Sequence, residues 1–140
     1  MRSTLALAAA AATLAASGCG GSGGQSDEDQ IKATLDDYYT AFATGDEESA
    51  CADLASEVQQ RFAKGSGTED CPSAIAKARM RPIVRRYTAR FKDAEIVSVK
   101  VAGDNALAKV RAFGVTQPIP LRREGKEWKI AGDVGAGGVR

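Results

Sequence analysis

"EIVSVKVAGDNALAKVRAF", residues 95–113, is where the apolar period of this chain changes, and that change decides the fold. Upstream, apolar residues recur every three or four positions. Here they recur every second, with Val97, Val99 and Val101 on one face of a strand over 95–101. Gly103-Asp104-Asn105 is a hairpin turn, and 106–113 is a second strand. Beyond it "PIPLRRE" (118–124) predicts a third strand, placed at an edge or bulged because Pro118 and Pro120 have no N–H for a ladder. Gly125-Lys126 turns the chain into a fourth strand, "EWKIAG" (127–132). Ile119, Leu121, Trp128 and Ile130 are expected to face the core, and 133–140 is a loose tail.

Upstream lie helices. Ile31, Leu35, Tyr38, Tyr39 and Phe42 share a face of a helix over 27–44, capped by Ser26 and stopped by Gly45. Asp46 caps a second helix whose stripe is Cys51, Leu54, Ala55, Val58 and Phe62, and 64–70 reads as a loop. A third helix starts near Cys71 and Pro72 and runs to Met80. Pro82 breaks it, and Ile83, Val84, Tyr87 and Phe91 point to helical turns resuming beyond the break. Three N-terminal helices followed by a sheet of consecutive hairpins is an α+β plan. A curved four-stranded antiparallel sheet wrapped over the first helix makes a cone with an internal cavity.

The chain has 140 residues, no histidine and a net charge of +1. Without histidine it lacks the side chain that titrates near neutrality and the commonest nitrogen ligand for zinc. The near-neutral balance hides an asymmetry: residues 27–70 hold twelve acids and three bases, and residues 71–140 hold six acids and fifteen bases. The basic half opens with Lys77, Arg79, Arg81, Arg85, Arg86, Arg90 and Lys92, with no acid between Cys71 and Asp93. This run reads either as a solvated face balanced by the acidic half, or as a contact for anionic lipid headgroups.

Residues 1–18 read as an export signal, with Arg2 as the positive n-region and 5–14 as an alanine and leucine h-region too short to span a bilayer. Ala16, Ser17 and Gly18 lead into Cys19, and this stretch resembles a bacterial lipoprotein lipobox, with Ala16 where leucine is most common. The resemblance implies cleavage before Cys19 and a diacylglycerol on its thiol, the stable two-chain anchor. Residues 19–29 are then the lipidated cysteine and a flexible Gly/Ser tether. With Cys19 acylated outside the cytoplasm, Cys51 and Cys71 are left to form one disulfide, and zinc is disfavoured.

"YYTAFATGDEESACADL" (38–54), Cys71, "VKVAGDNALAKV" (99–110) and "PLRREGKEWKI" (120–130) resemble the nuclear transport factor 2-like superfamily, and within it small lipoproteins of actinobacterial type. The resemblance covers a domain over about 30–132, with the cystatin-like fold as its rival. The superfamily includes ketosteroid isomerases, dehydratases and polyketide cyclases, which use the cone as an active site. It implies a pocket formed by Tyr38, Tyr39, Phe42, Arg111 and Trp128, in which a tyrosine phenol serves as an oxyanion donor. The acids open to a base role are Asp36, Asp37, Asp53 and Asp93, and none sits among apolar strand positions. The expectation is a lipid-anchored extracytoplasmic membrane protein with a non-catalytic domain for a small apolar ligand or an envelope protein, without metal, cofactor or nucleic acid. The alternative is an isomerase or dehydratase using a helix-one tyrosine. A homodimer through the sheet is the oligomer considered.

Overall fold

The structure is a computed structural model describing residues 24–132. The expected signal 1–18, Cys19, the first residues of the tether and the tail 133–140 lie outside the described residues.

The first helix, α1 (Asp27–Thr44), forms where its capping signals place it. The Ser26 hydroxyl accepts from the Asp29 amide, and Asp27, Glu28 and Asp29 sit at the positive end of the dipole. Gly45, with φ 87°, ends the helix in the left-handed conformation. Asp46 accepts from the Ser49 amide and starts α2 (Glu47–Ala52).

The expected second helix is split here. Residues 53–55 leave the helical path and pair with the last strand instead. The Ile130 N–H donates to the Asp53 carbonyl, and the Ala55 N–H donates to the Ile130 carbonyl. Helix α3 (Ser56–Ser66) follows, taking up the first residues of the expected 64–70 loop. The apolar stripe of Leu54 and Ala55 suits either conformation. The exposed backbone of a sheet edge decides, because pairing satisfies it and covers the edge.

Helix α4 (Cys71–Met80) is capped by Asp70, and α5 (Pro82–Tyr87) starts on Pro82. Arg81 between them is extended, with ψ 132°, as the residue before a proline prefers. A 3-10 turn (Thr88–Asp93) leads into the sheet. Among the described residues five α-helices replace the three expected, because a proline breaks one helix and a sheet edge in need of partners splits another.

The sheet is antiparallel with order β1-β2-β3-β4, from β1 (Glu95–Ala102), β2 (Asn105–Ala112), β3 (Val115–Glu124) and β4 (Glu127–Ile130). Two details differ from expectation. The register shifts between Ile96 and Ser98, so Ile96 pairs Val110 while Val99 pairs Ala108, and Val97 is left exposed in the bulge. The proline-bearing strand β3 is interior, with β2 on one side and β4 on the other. Its prolines are tolerated because the ring nitrogens face away from β2. The Pro120 carbonyl accepts from Ala131, on the β4 side, and β4 pairs only with Leu121–Glu124. Along 118–120 the strand is therefore edge-like in hydrogen bonding, though not in order.

The inner face presents Ala106, Ala108, Val110, Ile119, Leu121, Trp128 and Ile130 to Ile31, Leu35 and Phe42 of α1. Burying each large aliphatic contributes about 1.5–3 kcal/mol. Cys51 on α2 is joined to Cys71 at the start of α4, with Cα atoms 6.0 Å apart and 20 residues of separation. The bridge ties α4 to the helices against which it packs, and a loop of this length stabilises by roughly 3 kcal/mol in the chain-entropy treatment.

Candidate functional site

The cavity expected under α1 is filled. Tyr38, Phe42 and Trp128 are 3%, 1% and 2% exposed, so their rings are enclosed by protein. Tyr39 is buried as well, and its hydroxyl has no hydrogen-bond partner among the described residues. Burial pushes the Tyr39 phenol up to about 12. Burial also pushes Tyr38 above the ordinary phenol range, with Tyr39 and Asp53 adding to the effect. Four of the five expected pocket residues are thus core. Arg111 is not with them. It is exposed near the end of β2, and its Nε lies 3.7 Å from Glu95. Its strand partner across the sheet is Thr116, on the face away from the helices.

Of the four acids open to a base role, Asp36, Asp37 and Asp93 are exposed, and Asp53 is the one that is half-buried. It sits at the break after α2, half-buried beside Leu54 and Ala55. Burial raises it to about 6, Asp37 repels its charge, and Lys129 offsets part of this. The Asp53 charge adds to the upward push on the Tyr38 phenol. The "CADLA" context, one acid in a short apolar run, was the available signal. The Tyr38 ring itself is enclosed.

An open site lies at the end of the sheet where β2 turns into β3. A cleft of about 210 Å³ is lined by Arg90, Asp93, Glu95, Arg111, Phe113 and Gly114. The turn is Phe113-Gly114, with φ 54° and 78°. Both values are positive, as a two-residue turn of this hand requires, but that conformation favours Asn-Gly and is costly for an aromatic. Packing offsets the strain. The Phe113 ring stands edge-on to Phe91 at 4.9 Å and to Tyr87 at 5.8 Å, and the Arg90 guanidinium lies 5.7 Å from its centroid. Phe91 meets Phe42 at 4.9 Å, so a continuous aromatic row runs from the core to this surface.

Around the cleft the surface is apolar at its tips and basic at its shoulders. Met80, Ile83, Phe113 and Val115 are 71%, 55%, 44% and 64% exposed. Ile83 stands one helical turn before Tyr87 on α5, and Tyr87 touches Phe113. Arg81, Arg85, Arg86, Arg90 and Lys92 make no ion pair among the described residues, whereas Arg79 is held by Glu47 at 2.9 Å. The outer face of the sheet instead carries Lys100 and Lys109 around Leu107.

Among the described residues there is no group of three or more carboxylate, cysteine or histidine side chains placed to hold a metal, and no helix is long and apolar enough to cross a membrane. No protein-family model, curated protein or solved structure matches the chain.

Proposed function

We propose that the protein is a lipid-anchored extracytoplasmic lipoprotein whose domain, of nuclear transport factor 2-like type, binds a partner at its open pole without catalysing a reaction. The filled interior carries this reading. An enolisation site needs a donor and a base that reach a substrate held between them, and the tyrosines that could donate are enclosed by protein. The cleft at Phe113 is smaller than the roughly 300–1,000 Å³ that engulfs a small molecule, so it suits contact with a larger surface. The Cys51–Cys71 bridge fits an oxidising compartment, and the 1–18 signal with Cys19 supplies the route and the anchor.

Fractionation tests the anchor. The wild-type protein is expected in membranes after a high-salt wash, and Cys19→Ser is expected in the soluble fraction. Retention of Cys19→Ser through that wash overturns the anchor.

Asp53, whose charge acts on Tyr38, favours one second reading, the isomerase or dehydratase. A carboxylate near 6 is suited to proton abstraction at neutral pH. Ketosteroid, epoxide and polyketide-like substrates are the assays. Turnover that disappears in both Tyr38→Phe and Asp53→Asn, with the fold intact by circular dichroism, replaces the binding reading with the enzyme.

A further inference from the structure

The open pole combines two kinds of surface that water disfavours for different reasons. One is the exposed apolar set, Met80 and Ile83 at the α4–α5 junction and Phe113 and Val115 at the β2–β3 turn. The other is a group of cations without counter-ions among the described residues, Arg81, Arg85, Arg86, Arg90 and Lys92. Along "MRPIVRRYTARFK" (80–92) the exposed Met80 and Ile83 and the half-buried Tyr87 alternate with Arg81, Arg85, Arg86 and Arg90, while Val84 and Phe91 turn into the core. The Phe113 turn brings a second apolar tip against the same segment through Tyr87, Phe91 and Arg90. Apolar tips flanked by cations match the boundary between acyl chains and anionic headgroups. Asp93 and Glu95 are the acids on this pole. Glu95 is already turned to Arg111, so the cations outnumber the free acids.

We propose that this pole is a membrane-docking surface for anionic phospholipid, inserting Ile83, Met80 and Phe113 at the headgroup boundary while the arginines meet lipid phosphates. The inference deepens the binding reading above and rests on it for the location of the site, but it does not need the lipid on Cys19. The two contacts are complementary in place. Asp27, where the tether enters, is held by Arg123 at the other end of α1, about 27 Å from Thr44 at 1.5 Å per residue. The eight residues from Cys19 to Asp27 reach at most about 28 Å. The tether therefore lets the acyl anchor and the pole meet one bilayer, and the second contact restricts the orientation of a domain that a flexible tether alone leaves free.

The test uses the full chain carrying Cys19→Ser, so that no acyl anchor contributes. Sedimentation with vesicles of phosphatidylcholine alone and of phosphatidylcholine with 30% phosphatidylglycerol, an arbitrary but roughly physiological fraction of anionic lipid, measures partitioning. Binding is expected to the anionic vesicles, to weaken in high salt, and to fall roughly 100-fold in Arg85→Glu/Arg86→Glu/Arg90→Glu at about a factor of five per cation. Met80→Ser/Ile83→Ser, both exposed and outside the core, is expected to lower it as well, with melting temperature unchanged. Equal binding to neutral and anionic vesicles, no binding to either, or anionic binding that the triple variant leaves unchanged each overturns the proposal. In those outcomes, Cys19-dependent fractionation of the native protein still tests the anchor separately. A pole that ignores vesicles but binds a synthetic acidic peptide overturns the lipid assignment in favour of a protein partner.

Discussion

Each end of the sheet lays an arginine over an aromatic ring, and the two arrangements have opposite surroundings. At the end where the chain enters α1, Arg123 lies 4.6 Å from the Trp128 centroid and is paired with both Asp27 and Asp104. The indole Nε1 donates to Asp27 at 3.3 Å, and the ring is buried. Arg123 and then Trp128 hold the Asp27 carboxyl below its ordinary range. At the other end, Arg90 lies over Phe113 with no acid paired to it among the described residues, and the ring is exposed. The first cation is neutralised and serves the fold. The second is spare, and its aromatic sits in a strained turn. The difference teaches that a cation over a ring says little by itself about role. The presence of a counter-ion and the burial of the ring decide whether the pair closes a core or presents a surface.

The largest effect that tests this contrast is truncation of the two rings. Trp128→Ala should cost about 3–5 kcal/mol, because it leaves a cavity in the core. Phe113→Ala should cost about 1 kcal/mol, since it loses ring packing on Phe91 at a half-exposed site and alanine keeps the Cβ that the left-handed conformation disfavours. Urea denaturation of both variants checks it, and equal losses would remove the distinction between the ends.

Next in size is the staple on the helical side. Cys51→Ser/Cys71→Ser should lower stability by roughly 3 kcal/mol, and reduction of the wild type should reproduce the loss. Vesicle binding at the open pole should survive in whatever fraction remains folded, since the bridge lies in α2 and α4 rather than at the Phe113 turn.

A smaller effect belongs to Asp53. Its folded value of about 6 lies above its ordinary 3.8, so the folded chain binds this proton more tightly than the unfolded chain does. Stability from this group is full below the ordinary value and is lost as pH rises through about 6. Asp53→Asn should therefore raise the melting temperature by a few degrees near neutrality and change little near pH 4. A wild-type profile that the variant does not flatten over that window would remove burial as the cause. The smallest effect is expected at Tyr39, whose buried hydroxyl has no partner among the described residues. Tyr39→Phe should be neutral or slightly stabilising, because it removes an unsatisfied polar group and keeps the ring. A loss above about 1 kcal/mol would show that the hydroxyl is satisfied in solution.

The sequence by itself determined the elements whose cause is local. The Ser26 and Asp46 caps, the Gly45 stop, the helix break at Pro82 and the Gly103 turn are each set by backbone chemistry within a few residues. The inward faces of α1 and β3 followed from periodicity alone, whereas β2 turns Ala106, Ala108 and Val110 inward and Arg111, expected in the pocket, outward. With Cys19 set aside, the pairing of Cys51 with Cys71 was also legible, because two cysteines allow one bridge. Only the tertiary structure decided the rest. Residues 53–55 pair with Ile130 because a sheet edge needs partners, which no local pattern announces. Two prolines sit inside a sheet because β4 is too short to need their amides. The Phe113-Gly114 turn was hidden because its first residue is one that such a turn rarely accepts, and contacts from Tyr87 and Phe91, distant in sequence, offset the strain. The interior is filled rather than hollow because packing depends on how side chains from α1 and the sheet meet across the core, and periodicity gives only the direction in which each one points.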